Sequence, residues 1–375
     1  MKKVLLSTKS FPPVIGGSAF LLYEILRHFP ANYFCVFHGV NDPPGKESSL
    51  KLPFIRKQVK FINDKSTPRA TRYLSRIYQA LIEHNLQKEV ARGNIRKVYA
   101  HFPNALFVVA AYKVAKRNNL PLVIYFDILW DAMTTGAEQE LSKKYEAEIV
   151  AYAERVYAIT EFACEYLGQK HHKKVELIPH TVDTSLLDFQ STDSVIEHPK
   201  IHFAGGIYEA MNTDSILRLV DAVEMHESKI ELEFCSPDLP ATLIHKGYKN
   251  LYVNKEKLIE LQRSSSILFL PQAFHGGKHE MIKNNFPTKI MEYVCSGVPI
   301  LLHSPKDSYL TYIAKKEGFA YVVDEDDPLL LRDAISKLLS DTELRASLIT
   351  KAFEFARSRD SRFWSTKLKE ALDSE

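Results

Sequence analysis

Short apolar runs recur along this chain, and between them the apolar positions fall three and four apart, so strands alternate with helices. Strands buried on both faces of a parallel sheet read as continuous apolar runs, and that is the form taken here. In the first half the predicted strands are Val4–Ser7, Tyr33–His38, Lys97–His101, Leu122–Phe126, Arg155–Ile159 and Val175–Ile178. Helical spacing fills the gaps, as in Ala19–His28, Leu106–Asn118 and Gln139–Ala153. The polar stretch from Thr184 to Lys200 has few periodic apolar positions and reads as a linker. A second series follows: Ile201–Ala204, Ile230–Phe234, Leu251–Val253, Ile267–Leu270, Pro299–His303 and Ala320–Val323. The last pattern, Leu344–Leu372, is a long helix broken near Ser358–Ser361. The fold class is therefore α/β, with two doubly wound Rossmann-like domains in tandem and a central cleft at the C-terminal ends of both sheets.

A length of 375 residues is too great for one ordinary core, which agrees with two domains. No run approaches the roughly 18 to 20 apolar residues that span a bilayer. The opening apolar run after Met1-Lys2-Lys3 is too short for a signal peptide and reads as the first strand. Cys35, Cys164, Cys235 and Cys295 are widely separated in apolar settings, as expected of buried free thiols in a reducing cytosol.

The net charge is only +3, yet residues 56–97 carry eleven Lys and Arg against Asp64, Glu83 and Glu89. Part of this segment is helical, Tyr73 to Ile82, with aromatic and aliphatic residues interleaved. It is either a solvated helix face or a surface for anionic lipid headgroups or a lipid-diphosphate acceptor. No nucleic-acid recognition motif accompanies the charge.

Two glycine turns follow predicted strands. Pro12-Pro13-Val14-Ile15-Gly16-Gly17-Ser18 follows the first strand, and Ala204-Gly205-Gly206 follows the first strand of the second series. Glycine lets a backbone approach a phosphate or sugar, although such a turn is more often only a tight turn. The third glycine and acidic residue of a dinucleotide fingerprint are missing. His101 ends one predicted strand and Asp127 the next, which places both at the cleft. Near the C-terminus, Phe286-Pro287-Thr288-Lys289-Ile290-Met291-Glu292-Tyr293 reads as one helix started by Pro287 and stopped by Gly297. Lys289 and Glu292 share its polar face, which taken alone is also what an amphipathic surface helix offers.

Together these stretches resemble GT-B glycosyltransferases, and within them family 4, where a Pro-x-Lys-x-x-Glu-Tyr helix precedes a Gly-x-Pro turn. The resemblance spans nearly the whole chain and is strongest at residues 267–323. It implies a donor site in which Glu292 grips the ribose of a nucleotide-diphosphate sugar. Gly16, Gly17, Gly205, Gly206 and Lys289 lie near its phosphates, and Asn284, Phe286, Thr288 and Lys289 line the sugar and phosphate pocket. The turn Tyr252-Val253-Asn254 holds the base. His101 and Asp127 are the implied catalytic positions, beside the acceptor.

The chain departs from the family at four places. Phe126 replaces the usual histidine before Asp127, and His180 replaces an asparagine and reads as structural. The arginine and lysine expected after Gly206 are absent, leaving Lys289, with Lys278 second, to neutralise the diphosphate. Asn284 stands where the family has an acidic residue.

The family divides as an acceptor domain, here 1–184, a linker at 185–200, a nucleotide-sugar domain at 201–355 and a tail, 356–375, crossing back to the first domain. The implied activity is transfer of a hexose or related sugar, with retention of configuration, to a glycan or lipid-linked acceptor, in polysaccharide biosynthesis. No cofactor or bound metal is implied, and no Asp-x-Asp or clustered His/Cys set is present. The expected location is the cytoplasm, with attachment to the inner membrane face through 56–97 as a candidate. The rival reading is a catalytically silent GT-B module binding sugar nucleotide or a partner glycosyltransferase.

Overall fold

The computed structural model describes all residues except 1, 14–15, 41–49, 61–67, 188–197, 252, 254, 276–278 and 375. The chain forms two units, Met1–Thr181 with Ser361–Glu375, and Val182–Asp360.

The first unit carries β1 Lys3–Thr8, α1 Gly17–Leu26, β2 Phe34–Val40, β3 Ile55–Lys60, α2 Pro68–Ala91, β4 Ile95–Phe102 and α3 Ala105–Arg117. It continues with β5 Leu122–Phe126, α4 Trp130–Met133, α5 Gly136–Tyr152, β6 Arg155–Ala158, α6 Glu161–His171 and β7 Val175–Leu177. All neighbouring strands are parallel, in the order β3-β2-β1-β4-β5-β6-β7. Alternation along β4 explains its burial on both faces. Val98, Ala100 and Phe102 join the core under α3, whereas Tyr99 joins the opposite core with Leu21 and Leu22 of α1. The C-terminal helix Ser361–Asp373 belongs to this unit, since Leu368 and Leu372 enter the α1-side core. Arg96 and Lys97 anchor its end through the carbonyls of Leu372 (2.8 Å) and Ser374 (2.7 Å).

The second unit carries β8 Lys200–Ala204, α7 Thr213–Glu224, β9 Glu231–Cys235, α8 Ala241–His245, α9 Lys255–Arg263, β10 Ile267–Pro271 and α10 His279–Asn284. There follow α11 Lys289–Tyr293, β11 Ile300–His303, α12 Tyr309–Glu317, β12 Tyr321–Val323, α13 Pro328–Ser340 and α14 Thr342–Ser358. Its strands are also parallel, ordered β12-β11-β10-β8-β9. Local signals set the helix ends. The Ser308 hydroxyl accepts the Thr311 N–H at the start of α12, and Gly318 closes that helix at φ 72°.

Three elements differ from the sequence expectation. No strand is described at Leu251 or Val253, and Tyr252 lies outside the described residues; Asn250 forms an isolated bridge to Phe234, the Leu251 N–H donates to the Phe234 carbonyl, and the Cys235 thiol donates to the Leu251 carbonyl. β3 was missed because Ile-Arg-Lys-Gln-Val-Lys lacks an apolar run, as suits an edge strand. The helix expected to begin at Pro287 and run to Gly297 is shorter, Lys289–Tyr293. Ser296 ends it by donating to the Tyr293 carbonyl and accepting the Val298 N–H, before Gly297 turns at φ 75°.

Several basic residues of the segment have partners. Arg56 donates to the Pro12 carbonyl, Lys57 and Arg92 pair with Glu89, and Arg96 pairs with Asp373. Lys97 is buried against Glu154. The side chains of Lys60, Lys65, Arg69 and Arg72 lie outside the described residues. None of the four cysteines forms a disulfide. No helix among the described residues is long and apolar enough to cross a membrane.

Candidate functional site

In the first unit, candidate side chains converge at the C-terminal ends of β1, β4 and β5. The Thr8 hydroxyl donates to the Ser10 carbonyl (3.1 Å), so its oxygen accepts from Nδ1 of His101, also at 3.1 Å. That fixes the tautomer: Nδ1 carries the proton and Nε2 is a bare acceptor. Nε2 has no partner among the described residues, and the ring is fully buried against Tyr125. Burial, assisted by His180 nearby, pulls the His101 pKa down to about 3, so the ring is neutral. Asp127 follows β5, and its Oδ2 accepts the Ser18 hydroxyl at the start of α1. Burial pushes the Asp127 carboxyl up to about 6, opposed by that bond. Gly16 and Gly17 precede Ser18 and are exposed, so the structure joins the first glycine turn to Asp127 through a residue not singled out from sequence. Its position directly after Gly-Gly was the available signal. His38, likewise unforeseen, pairs in register with Thr8; its Nδ1 donates to the Gly39 carbonyl, leaving a second unpartnered Nε2.

The second unit gathers a different set. Gly205 follows β8 at φ 125°, a backbone geometry that favours glycine. A Cβ there would stand 2.8 Å from Lys289 Nζ. That ammonium lies 4.1 Å from the centroid of the Phe203 ring. It makes no hydrogen bond or ion pair with any described residue. Burial pulls its pKa down to about 7, opposed by the field of Glu292. The loop beyond is tied by Asn212, whose Oδ1 accepts the Tyr208 N–H (2.9 Å) and whose amide donates to the Gly206 carbonyl (3.0 Å). The Tyr208 ring covers Gly206, where an added Cβ would meet it at 2.4 Å. Tyr293, one residue past Glu292, accepts the Ala204 N–H through its hydroxyl (2.9 Å), docking α11 on the end of β8.

Other sequence candidates have their own surroundings. Phe286 is buried, with its ring edge-on against Tyr309 of α12. Asn284 is buried, and its amide donates to the Glu280 carbonyl (2.9 Å) and carboxylate (3.1 Å) of its own helix. Thr288 is half-buried and caps no N–H with its side chain. Tyr252, Asn254 and Lys278 lie outside the described residues; Val253 is half-buried. Among the described residues, no group of three or more His, Cys, Asp or Glu is gathered as a metal site would require.

Comparison with known proteins bears on the family and the fold. The family model described as Glycosyltransferase Family 4 matches residues 15–186, and that for Glycosyl transferases group 1 matches residues 247–355. No curated protein matches the chain by sequence. Among solved structures, Anabaena Alr3699/HepE in complex with UDP and glucose superposes with a TM-score of 0.70 at 13% identity, covering 100% of both chains. Sucrose-phosphate synthase from Thermosynechococcus elongatus gives 0.71 at 13%, covering 99% of this chain and 98% of that one. The UDP-forming α,α-trehalose-phosphate synthase of Burkholderia vietnamiensis gives 0.68 at 11%, covering 100% of both. At such identities the likeness concerns the fold, and the two family models carry it to the family. With one family model lying mainly on each unit, the chain belongs to the GT-B glycosyltransferases of the family 4 kind.

Proposed function

We propose that this glycosyltransferase takes its sugar from a nucleotide-diphosphate sugar and passes it to a glycan or lipid-linked acceptor with retention of configuration. The observation that carries the donor half is Lys289, a cation held against the Gly205-Gly206 turn without a counter-anion among the described residues. A diphosphate supplies that partner, in place of the basic pair missing after Gly206. Glu292, on the same short helix, accepts the ribose hydroxyls. The protein cation then does the neutralising, and donor binding is independent of metal. UDP-sugars are the first choice, because the structural neighbours include UDP and UDP-glucose complexes.

On the acceptor side, His101 Nε2 receives a hydrogen bond from an acceptor hydroxyl, and Asp127 positions the glycine turn through Ser18. In a retaining transfer the departing phosphate takes the acceptor proton, so the protein orients groups and stabilises charge. Attachment to an anionic membrane rests on less: Arg76 with the exposed Ile77 and Leu81 of α2.

Thermal-shift screening of UDP-, GDP- and ADP-sugars, with and without EDTA, tests the donor half. A ligand at 100 times its dissociation constant stabilises by about 2.7 kcal/mol. No shift with any of them would sink the reading. Nucleotide release in the presence of acceptor, with the product anomer read by NMR, tests the transfer and its stereochemistry.

A further inference from the structure

Resting on that donor-site reading, we propose that Tyr208 is a further donor-binding residue, whose hydroxyl donates a hydrogen bond to the diphosphate on the Gly205-Gly206 turn. Gly206 has no left-handed φ, so its backbone does not call for glycine as that of Gly205 does. What calls for it is room. A Cβ at 206 would stand 2.4 Å from both Cζ and the hydroxyl oxygen of Tyr208, so the polar end of the ring is pressed against the glycine backbone. Tyr208 is nevertheless 62% exposed, which leaves that hydroxyl within reach of a ligand arriving on the turn.

The backbone beneath the ring is fixed. Asn212 is buried and bonds both the Gly206 carbonyl and the Tyr208 N–H, while the Tyr208 carbonyl accepts the N–H groups of Met211 (2.9 Å) and Asn212 (3.1 Å). By contrast, the N–H groups of Gly206 and Ile207 and the Tyr208 hydroxyl donate to no described residue. Lys289 Nζ stands beside the preceding glycine. Backbone N–H, phenol O–H and ammonium donors are thus gathered at one turn without an acceptor among the described residues. Their common ligand is an anion with several oxygens, which is what a nucleoside diphosphate offers and a bare nucleoside does not. The phenol stands two residues past Gly206, where the chain lacks the basic pair, and it contributes direction to the site without adding charge.

Calorimetry of UDP and UDP-glucose with the full chain, and NMR titration of uridine, test the assignment. Tyr208→Phe keeps the ring and removes only the hydroxyl, so it should weaken UDP and UDP-glucose about tenfold and leave uridine within about twofold. Gly206→Ala gives a second route to the same contact, because its methyl displaces the ring. It should cost about as much as Tyr208→Phe in the wild-type chain and add almost nothing in Tyr208→Ala. Equal UDP affinity in wild type and Tyr208→Phe would overturn the hydroxyl's role and leave the donor reading intact, even where Tyr208→Ala binds weakly, since the ring would then act only as a packing surface. Equal losses for UDP and uridine would overturn it as well. So would a Gly206→Ala loss as large in Tyr208→Ala as in wild type, because the methyl would then obstruct the ligand itself. Absence of wild-type binding to UDP, GDP and ADP alike would overturn the donor reading and this inference with it.

Discussion

The strand ends of the two units meet the same physical pressure with opposite results. Burial pushes His101, Asp127 and Lys289 alike toward their neutral forms. In the first unit that pressure is matched by partners: Thr8 fixes His101, and Ser18 holds Asp127. In the second unit Lys289 has an aromatic face and a glycine beside it but no acceptor among the described residues. At one end the titratable groups are tied by side-chain hydrogen bonds, and at the other the lysine has none among the described residues. The difference teaches that burial alone does not settle a group's state, since the hydrogen bonds it finds act with or against burial.

The comparison breaks most decisively at Lys289. Lys289→Met should weaken nucleoside diphosphate about a hundredfold, near 3 kcal/mol, and leave the bare nucleoside almost unchanged. Equal losses for both ligands in calorimetry would make Lys289 a packing residue. At the other pole, Asp127 makes stability depend on pH. Its folded pKa of about 6 lies above the ordinary 3.8, so the folded state holds the proton more tightly. Stability is therefore lost as pH rises from about 4 through 6, by at most about 3 kcal/mol. Asp127→Asn should flatten that slope in urea unfolding at pH 4.5, 6 and 7.5, and an unchanged slope would count against a buried, proton-binding carboxyl.

Two further substitutions sharpen the contrast. Glu292→Gln should weaken nucleotide-sugar binding by about 1 to 3 kcal/mol with the fold intact, as expected for losing hydrogen bonds to a charged acceptor. Unchanged affinity would remove the ribose role. On the proposed acceptor-side role of its bare Nε2, His101→Ala should raise acceptor KM about tenfold, near 1.4 kcal/mol, with donor affinity unaltered. A change in donor affinity instead would contradict that division. The smallest effect is expected at α2, where replacing Ile77 and Leu81 by Ser should reduce sedimentation with anionic liposomes at low salt. Equal sedimentation of variant and wild type would leave α2 a solvated helix.

Much of the fold was legible because buried parallel strands announce themselves as apolar runs, as β5 and β10 do. β3 was not, since an edge strand with three charged side chains hides that signal. The charge count over 56–97 left the pairing of those charges open for a related reason. A sequence gives the sign of each side chain but not its partner, and Lys57, Arg92, Arg96 and Lys97 find theirs in Glu89, Asp373 and Glu154. Phe286 shows the same limit, since its edge-on contact with Tyr309 could not be read from the sequence.

By itself, then, the sequence determined the alternation of strands and helices, the two glycine turns and the Lys289–Glu292 spacing, because propensity, periodicity and chain geometry are local properties. Only the tertiary structure decided that Ser18 reaches Asp127, that Thr8 sets the tautomer of His101, and that Lys289 lies over Phe203 beside Gly205. Those pairings join residues far apart in the chain, and each depends on how the ends of adjacent parallel strands are brought level. Burial follows from the same packing, and with it the protonation of every group the chemistry needs.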